Sequence, residues 1–468
     1  MTSVPAKIIA YPGHTESTSE SKPSLNPPGI GISAPAQKEA ITLEEIAGNS
    51  DLQAQIELRL KSMISELGLL KAENRWQEII DLFHPLEDKE PEIVKFCLGL
   101  DLRGEIAFCL SQIKRFDDAI RQYEICLSQA PESFRLHSAL GFTFYSCLLA
   151  AKNREILLPS QEKKARIRKA HDHFSRAEAL KPDGVTTFYR HGMLCKGIED
   201  DYNSAVTLLQ KAVENWRKYS PETKKERHQE HKNYVKALYA LASCSIKMDH
   251  PSRALTLLEA CIEEDKGKDF IKPHHKGFAM GKVLFHLGRN IEAVRILEEA
   301  ASLSKDDDND FILELSARAS LALKDPKRAF AAIERIPPNK RRHYVRWTEA
   351  DCLFALGRKD QARAVLRRSA DKDRRSKHRS LIRLAKMAFL EGNFTEAASC
   401  ASESVEFHRE TYSTPDADGL FWHAASCLRL GDVGTAKELT DELAAFRPGF
   451  PHIQRLKKEI EKKHQGLT

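Results

Sequence analysis

The sequence predicts an all-α fold, a right-handed superhelical solenoid of about ten antiparallel helix pairs. Three observations predict it. An alanine returns at a near-constant interval: Ala119, Ala170, Ala205, Ala254, Ala293, Ala329, Ala362, Ala397 and Ala436. A large residue follows each of several of these alanines by four positions, and a proline closes the unit. A glycine precedes the alanine by five in four units, at Gly288, Gly357, Gly392 and Gly431. A fixed period of thirty to forty residues is the mark of stacked supersecondary units, each too small to bury its apolar face alone.

Each element has a physical reason. A small residue where two helices cross lets their backbones approach. Glycine supplies the positive φ of a tight helix–helix turn. The large residue four after the alanine is expected to fill the gap to the next unit, and proline stops the second helix. Residues 100–133 show the pattern most clearly. Ile106 and Ala107 lie on one helix; Phe116, Ala119, Tyr123 and Cys126 line the next; Pro131 ends it. The same spacing returns in Ala170, Phe174, Ala177, Pro182 and in Ala436, Thr440, Leu443, Pro448.

Along the chain, residues 1–50 open as a Pro/Ser-rich segment with too little apolar surface to offset its ordering entropy, and are expected to be disordered. A helix begins near Asp51, a suitable N-cap. Residues 51–217 form an N-terminal set of repeats, with an insertion near 151–168 that explains the long step from Ala119 to Ala170. Residues 218–234, highly charged, read as a joint, and 235–448 as a C-terminal set. Residues 449–468 form a polar capping helix over the open end. The longest uncharged apolar run outside the N-terminal segment, residues 138–151, is too short for a bilayer, which needs about 20 residues. No secretory signal is evident, and the ten cysteines stand singly. A cytoplasmic, reduced protein without membrane insertion is therefore expected.

The quoted small–large pattern resembles the tetratricopeptide repeat, over residues 60–450. The resemblance implies a non-catalytic scaffold in which the first helix of each pair lines a concave groove. At the family's groove positions stand His275, Phe278, Lys282 and Phe285, then Phe311, Glu314 and Arg318. Next come Tyr344, Trp347, Asp351 and Phe354, then Arg379, Ile382, Lys386 and Phe389, and finally Phe421. The two-Lys, two-Asn, one-Arg clamp of chaperone-binding members is absent: Arg379 and Arg383 match its basic pair, but Trp347 and Asp351 stand where Lys or Asn is needed.

Charge adds a second pointer. Net charge is +6. Residues 340–386 alone hold 16 Lys or Arg against 5 Asp or Glu, a net of +11 that leaves −5 for the remainder. Arg367, Arg368, Arg374, Arg375, Arg379 and Arg383 are its centre. Aromatics interleaved with cations suit an acidic protein or peptide partner, and equally a nucleic acid, where rings stack on bases. A solvated convex face is the third reading.

No catalytic motif, metal site or cofactor site is read. The close pairs His171/His173, His228/His231 and His274/His275 have no cysteine at ligand-like spacing and read as helix-surface histidines.

Overall fold

The computed structural model describes residues 43–95, 99–304 and 309–464. Among them the regular structure is helical. They form two compact units that part between Asp249 and His250. Of the segment expected to lack structure, residues 1–42 lie outside the described residues; from Leu43 the chain is helical, ahead of the expected start at Asp51.

The first unit runs α1 (Leu43–Ala72), α2 (Trp76–Phe83), α3 (Leu86–Lys89), α4 (Pro91–Lys95), α5 (Leu100–Gln112), α6 (Phe116–Gln129), α7 (Phe134–Lys152), α8 (Ser160–Leu180), α9 (Thr186–Leu194), α10 (Tyr202–Lys218), α11 (Pro221–Glu226) and α12 (His228–Lys247). One π-helical turn, Cys195–Glu199, extends α9. The charged stretch 218–234 carries α11, capped by the Ser220 hydroxyl, and the start of α12. The second unit runs α13 (Pro251–Glu264), α14 (Pro273–His286), α15 (Asn290–Leu303), α16 (Asp310–Ala322), α17 (Pro326–Glu334), α18 (His343–Ala355), α19 (Lys359–Lys372), α20 (Lys377–Leu390), α21 (Phe394–Tyr412), α22 (Ala417–Leu430), α23 (Val433–Phe446) and α24 (Ile453–His464). No described helix is long and apolar enough to cross a membrane.

All nine recurring alanines are fully buried. The turns after α1, α5, α7, the π-helical turn, α12, α14, α16, α18, α20 and α22 each contain one left-handed residue: Asn74, Lys114, Arg154, Asp200, Asp249, Gly288, Lys324, Gly357, Gly392 and Gly431. In eight of these turns, Asn74 and Arg154 excepted, that residue stands five before the buried alanine. Arg154 stands sixteen before Ala170 (170 − 154), so the inserted residues lie between turn and alanine. They lengthen α8, and Arg166 ties that extension down. Its guanidinium donates to Cys147 Sγ on α7 at 2.7 Å, to Asp117 on α6 at 2.5 Å, and to Glu162.

The large residue four after the alanine packs toward the next unit, as expected, and also inside its own pair: Phe174 stacks on His191 of α9, and Leu297 shares a core cluster with Ile312 and Leu313 of α16. Phe174, Leu209 and Leu297 press on glycines of the first helix of their own pair. A Cβ at Gly141, Gly192 or Gly281 would come within 2.9, 2.8 and 2.5 Å of those side chains. The contact inside the pair is possible because the glycine removes the atom that would hold the two axes apart.

In the second unit α14, α16, α18, α20, α22 and α24 touch in succession, whereas the second helices meet mainly first helices. The first helices thus form a continuous row, and side chains on its outer face stand next to one another.

Candidate partner-binding surface

The row brings several expected site residues together. Phe278 on α14 meets Phe311 on α16 edge to face, with ring centroids 4.6 Å apart. Arg318, on α16, lies over the Phe285 ring of α14 at 5.1 Å. Tyr344 on α18 donates its hydroxyl to Asp310 at 2.7 Å. Phe354 is half-buried against the core of α18, α19 and α20. Phe389 packs against Phe394 and against Trp422 of α22, at 5.2 and 5.3 Å. Lys282 is half-buried on α14 and Lys386 is exposed on α20.

Trp347 is different. It is only 7% exposed, and its indole N–H donates to Ser380 Oγ at 2.9 Å. Arg379 and Arg383 of α20 lie over its ring at 5.5 and 5.2 Å. Trp347 therefore joins neighbouring first helices, while the two guanidinium groups stacked on it form the exposed or half-exposed layer.

Acidic groups sit beneath that layer. Glu314 accepts from the Thr348 hydroxyl at 2.6 Å, and Arg318 lies 3.9 Å from it. Asp351 lies 3.4 Å from Arg383. Burial pushes the carboxyl groups of Glu314 and Asp351 above the usual range, only partly offset by Arg318 and Arg383. The face is a mixed network of cations, carboxylates and rings.

The arginines of the 340–386 window do not form one patch. Those on α19 turn toward α21: Arg363 pairs with Glu391 and Glu396, and Arg367 with Glu396 at 3.2 Å. Those on α20 turn toward α18. Arg368 on α19 and Arg374 and Arg375 in the α19–α20 turn are exposed. Asp373 holds that turn by accepting from the backbone N–H groups of Arg375 and Ser376, at 3.0 and 2.9 Å.

The first unit has a comparable row of first helices, α5, α7, α9 and α12. Composition does not single it out. Arg190 lies over the Phe142 ring at 4.0 Å, and burial lowers its pKa to about 10. Burial also lowers Lys236, whose charged neighbour is another cation, Lys232. A cavity of about 230 Å3 opens there between Arg135, Lys181, Thr187, Arg190 and Glu230.

Of the close histidine pairs, His228 and His275 are exposed as expected, whereas His231 and His173 depart from the expectation. His231 is buried and stacks on Trp216 with centroids 5.0 Å apart. His173 faces His137 with their Nδ1 atoms 3.0 Å apart, and burial lowers its pKa to about 4. These are packed side chains: His173 of α8 lies against His137 and Phe144 of α7, and His231 of α12 against Trp216 of α10. The nine described cysteines are free, and all but Cys400 are buried; Cys97 lies outside the described residues.

The family model for the tetratricopeptide repeat matches residues 343–368, which span α18 and most of α19. Among solved structures, the chain is similar to the apo form of the quorum sensor NprR from B. thuringiensis. That match has 13% identity and a TM-score of 0.53, and covers 76% of this chain and 99% of that one. Yeast Tom70 matches at 9% identity and a TM-score of 0.46, over 88% of this chain and 89% of its own. The Pseudomonas aeruginosa pilF product matches at 14% and 0.38, over 51% and 90%. At these identities the likeness concerns the fold. No curated protein matches the chain by sequence.

Proposed function

We propose that this chain, a tetratricopeptide-repeat protein, is a non-catalytic scaffold that binds a partner protein or peptide along the first-helix row of its second unit. One observation carries the reading. On α14 to α20, half-buried rings alternate with Arg318, Arg379, Arg383 and Lys386 on one continuous face. Such a face offers apolar contact area and charge-assisted hydrogen bonds together, which suits an extended segment with acidic and apolar side chains.

The test is capture of partners by the full chain and by an Arg379→Glu, Arg383→Glu variant, with Arg374→Glu, Arg375→Glu as the comparison. Loss in the first variant alone supports groove binding. Equal recovery in all three proteins sinks it. Nucleic-acid binding is the rival reading, and the pairing of Arg363 and Arg367 with Glu391 and Glu396 weighs against it. Filter binding with RNA and DNA decides: affinity that falls steeply with salt and is competed by any polyanion would favour the rival.

A further inference from the structure

Two histidines and a cysteine of the first unit point their ligand atoms at one spot. His171 lies on α8, His191 on α9, and Cys195 opens the π-helical turn that follows α9. His191 and Cys195 are four residues apart, which puts both on one helix face, and His171 reaches in from the neighbouring helix. His171 Nδ1 and His191 Nε2 are 2.7 Å apart. One ring nitrogen of each histidine and the Cys195 sulfur all lie within 4.8 Å of one another. His191 and Cys195 are 6% and 3% exposed, while His171 is partly open to solvent.

The far nitrogens are both occupied. His171 Nε2 lies 2.8 Å from Glu199, and His191 Nδ1 lies 2.8 Å from Glu178. A carboxylate can only accept, so each of these nitrogens carries the hydrogen. The tautomers follow. His171 Nδ1 and His191 Nε2 are the lone-pair positions, and they face each other. Without a third party they must share a proton. Phe174, fully buried, stacks on His191 with centroids 5.3 Å apart and sets its plane.

The π-helical turn is the second, independent observation. The wide turn carries both Cys195 and Glu199. Such turns cost backbone stability and recur at functional sites.

We propose that His171 Nδ1, His191 Nε2 and Cys195 Sγ form a binding site for one zinc-class divalent transition-metal ion, with Glu178 and Glu199 orienting the two imidazoles. Imidazole with thiolate is the donor set that zinc prefers, and a carboxylate behind each ligating histidine is its usual support. Zinc bonds of about 2.0–2.1 Å to nitrogen and about 2.3 Å to sulfur put tetrahedral ligand atoms about 3.3–3.6 Å apart. The 2.7 Å between the two ring nitrogens is shorter than that, so loading parts the rings, with the Cys195 sulfur already within 4.8 Å of both. Loading forms two metal–nitrogen bonds and one metal–sulfur bond. It releases the thiol proton and the proton shared by the imidazoles, and leaves a fourth position for solvent on the His171 side.

The test uses the purified full chain, kept reduced, stripped with chelator and titrated with cobalt(II) and then zinc(II). The expected result is one equivalent of cobalt with a near-ultraviolet thiolate-to-cobalt band that zinc displaces. Cys195→Ser abolishes the band and His171→Gln weakens binding at least tenfold. Glu178→Gln and Glu199→Gln each weaken it about 10- to 100-fold. Circular dichroism of the stripped variants checks the helices; if Cys195→Ser does not fold, His171→Gln, at a partly exposed position, decides alone. No thiolate band in the parent chain, or a band unchanged in either folded variant, overturns the proposal and leaves a proton-sharing histidine pair.

Discussion

The Trp347 indole N–H donates to Ser380 Oγ at 2.9 Å, and both residues are buried. The bond links α18 to α20, two first helices of successive pairs. Trp347→Phe keeps most of the ring area but strands the serine hydroxyl, at a cost of about 1–3 kcal/mol. Chemical denaturation of the full chain should show this loss. In the double variant Trp347→Phe, Ser380→Ala much of it should return, because no polar group is then left unpaired. Additive losses would contradict a direct bond.

A Cβ at Gly281 would lie 2.5 Å from Leu297 Cγ, with Leu297 itself fully buried. Gly281→Ala should therefore destabilise the second unit by about 1–3 kcal/mol through overpacking, despite the better helix propensity of alanine. Gly288→Ala tests a different cause, since nothing crowds that position and its φ is +73°. Its loss should be close to 1 kcal/mol and independent of any change at Leu297. Gly281→Ala with Leu297→Val should recover part of the first loss, measured as a shift in denaturation midpoint.

Arg166→Lys should cost about 1–3 kcal/mol although it keeps the charge. Lysine cannot reach Cys147, Asp117 and Glu162 at once as the planar guanidinium does. Hydrogen exchange should rise in the N-terminal turns of α8 and stay unchanged in α5. Equal protection throughout α8 would show that the extension does not depend on Arg166.

Burial lowers the His378 pKa to about 4, against the raising effects of Asp416 and Asp373; His408 and Arg379 lower it further. The ring is neutral in the folded chain. Between its unfolded pKa of about 6.5 and the folded value, the unfolded state binds more protons. Stability must then fall as pH drops through that window. His378→Phe should remove about 1 kcal/mol of that acid-side loss, a figure discounted because the ring is partly solvated. The readout is the difference in urea midpoints between parent and variant at about pH 7 and about pH 4.5. A difference that does not change with pH would contradict the assignment.

The register was legible because the buried alanine and the glycine five before it are chemically forced. It was only partly legible where Lys114, Asp200, Asp249 and Lys324 hold the same left-handed position, since their side chains do not announce a positive φ. The charge window misled by its method. Adding neighbours in sequence merges α19 with α20, which point apart, and omits Glu391 and Glu396, which neutralise Arg363 and Arg367 from outside the window. The histidine cluster escaped because His171 meets a partner twenty residues away. The four-residue step from His191 to Cys195 was the signal that could have found it.

The mixed occupancy of the left-handed turns has a practical side. Lys114, Arg154 and Lys324 hold long side chains at φ of 67°, 63° and 61°, where glycine would sit without strain. Lys114 makes one surface ion pair, with Glu155, of the kind that contributes little. These three turns are accordingly where the protein could be hardened against heat by single substitutions to glycine, leaving both helix rows and everything they carry untouched.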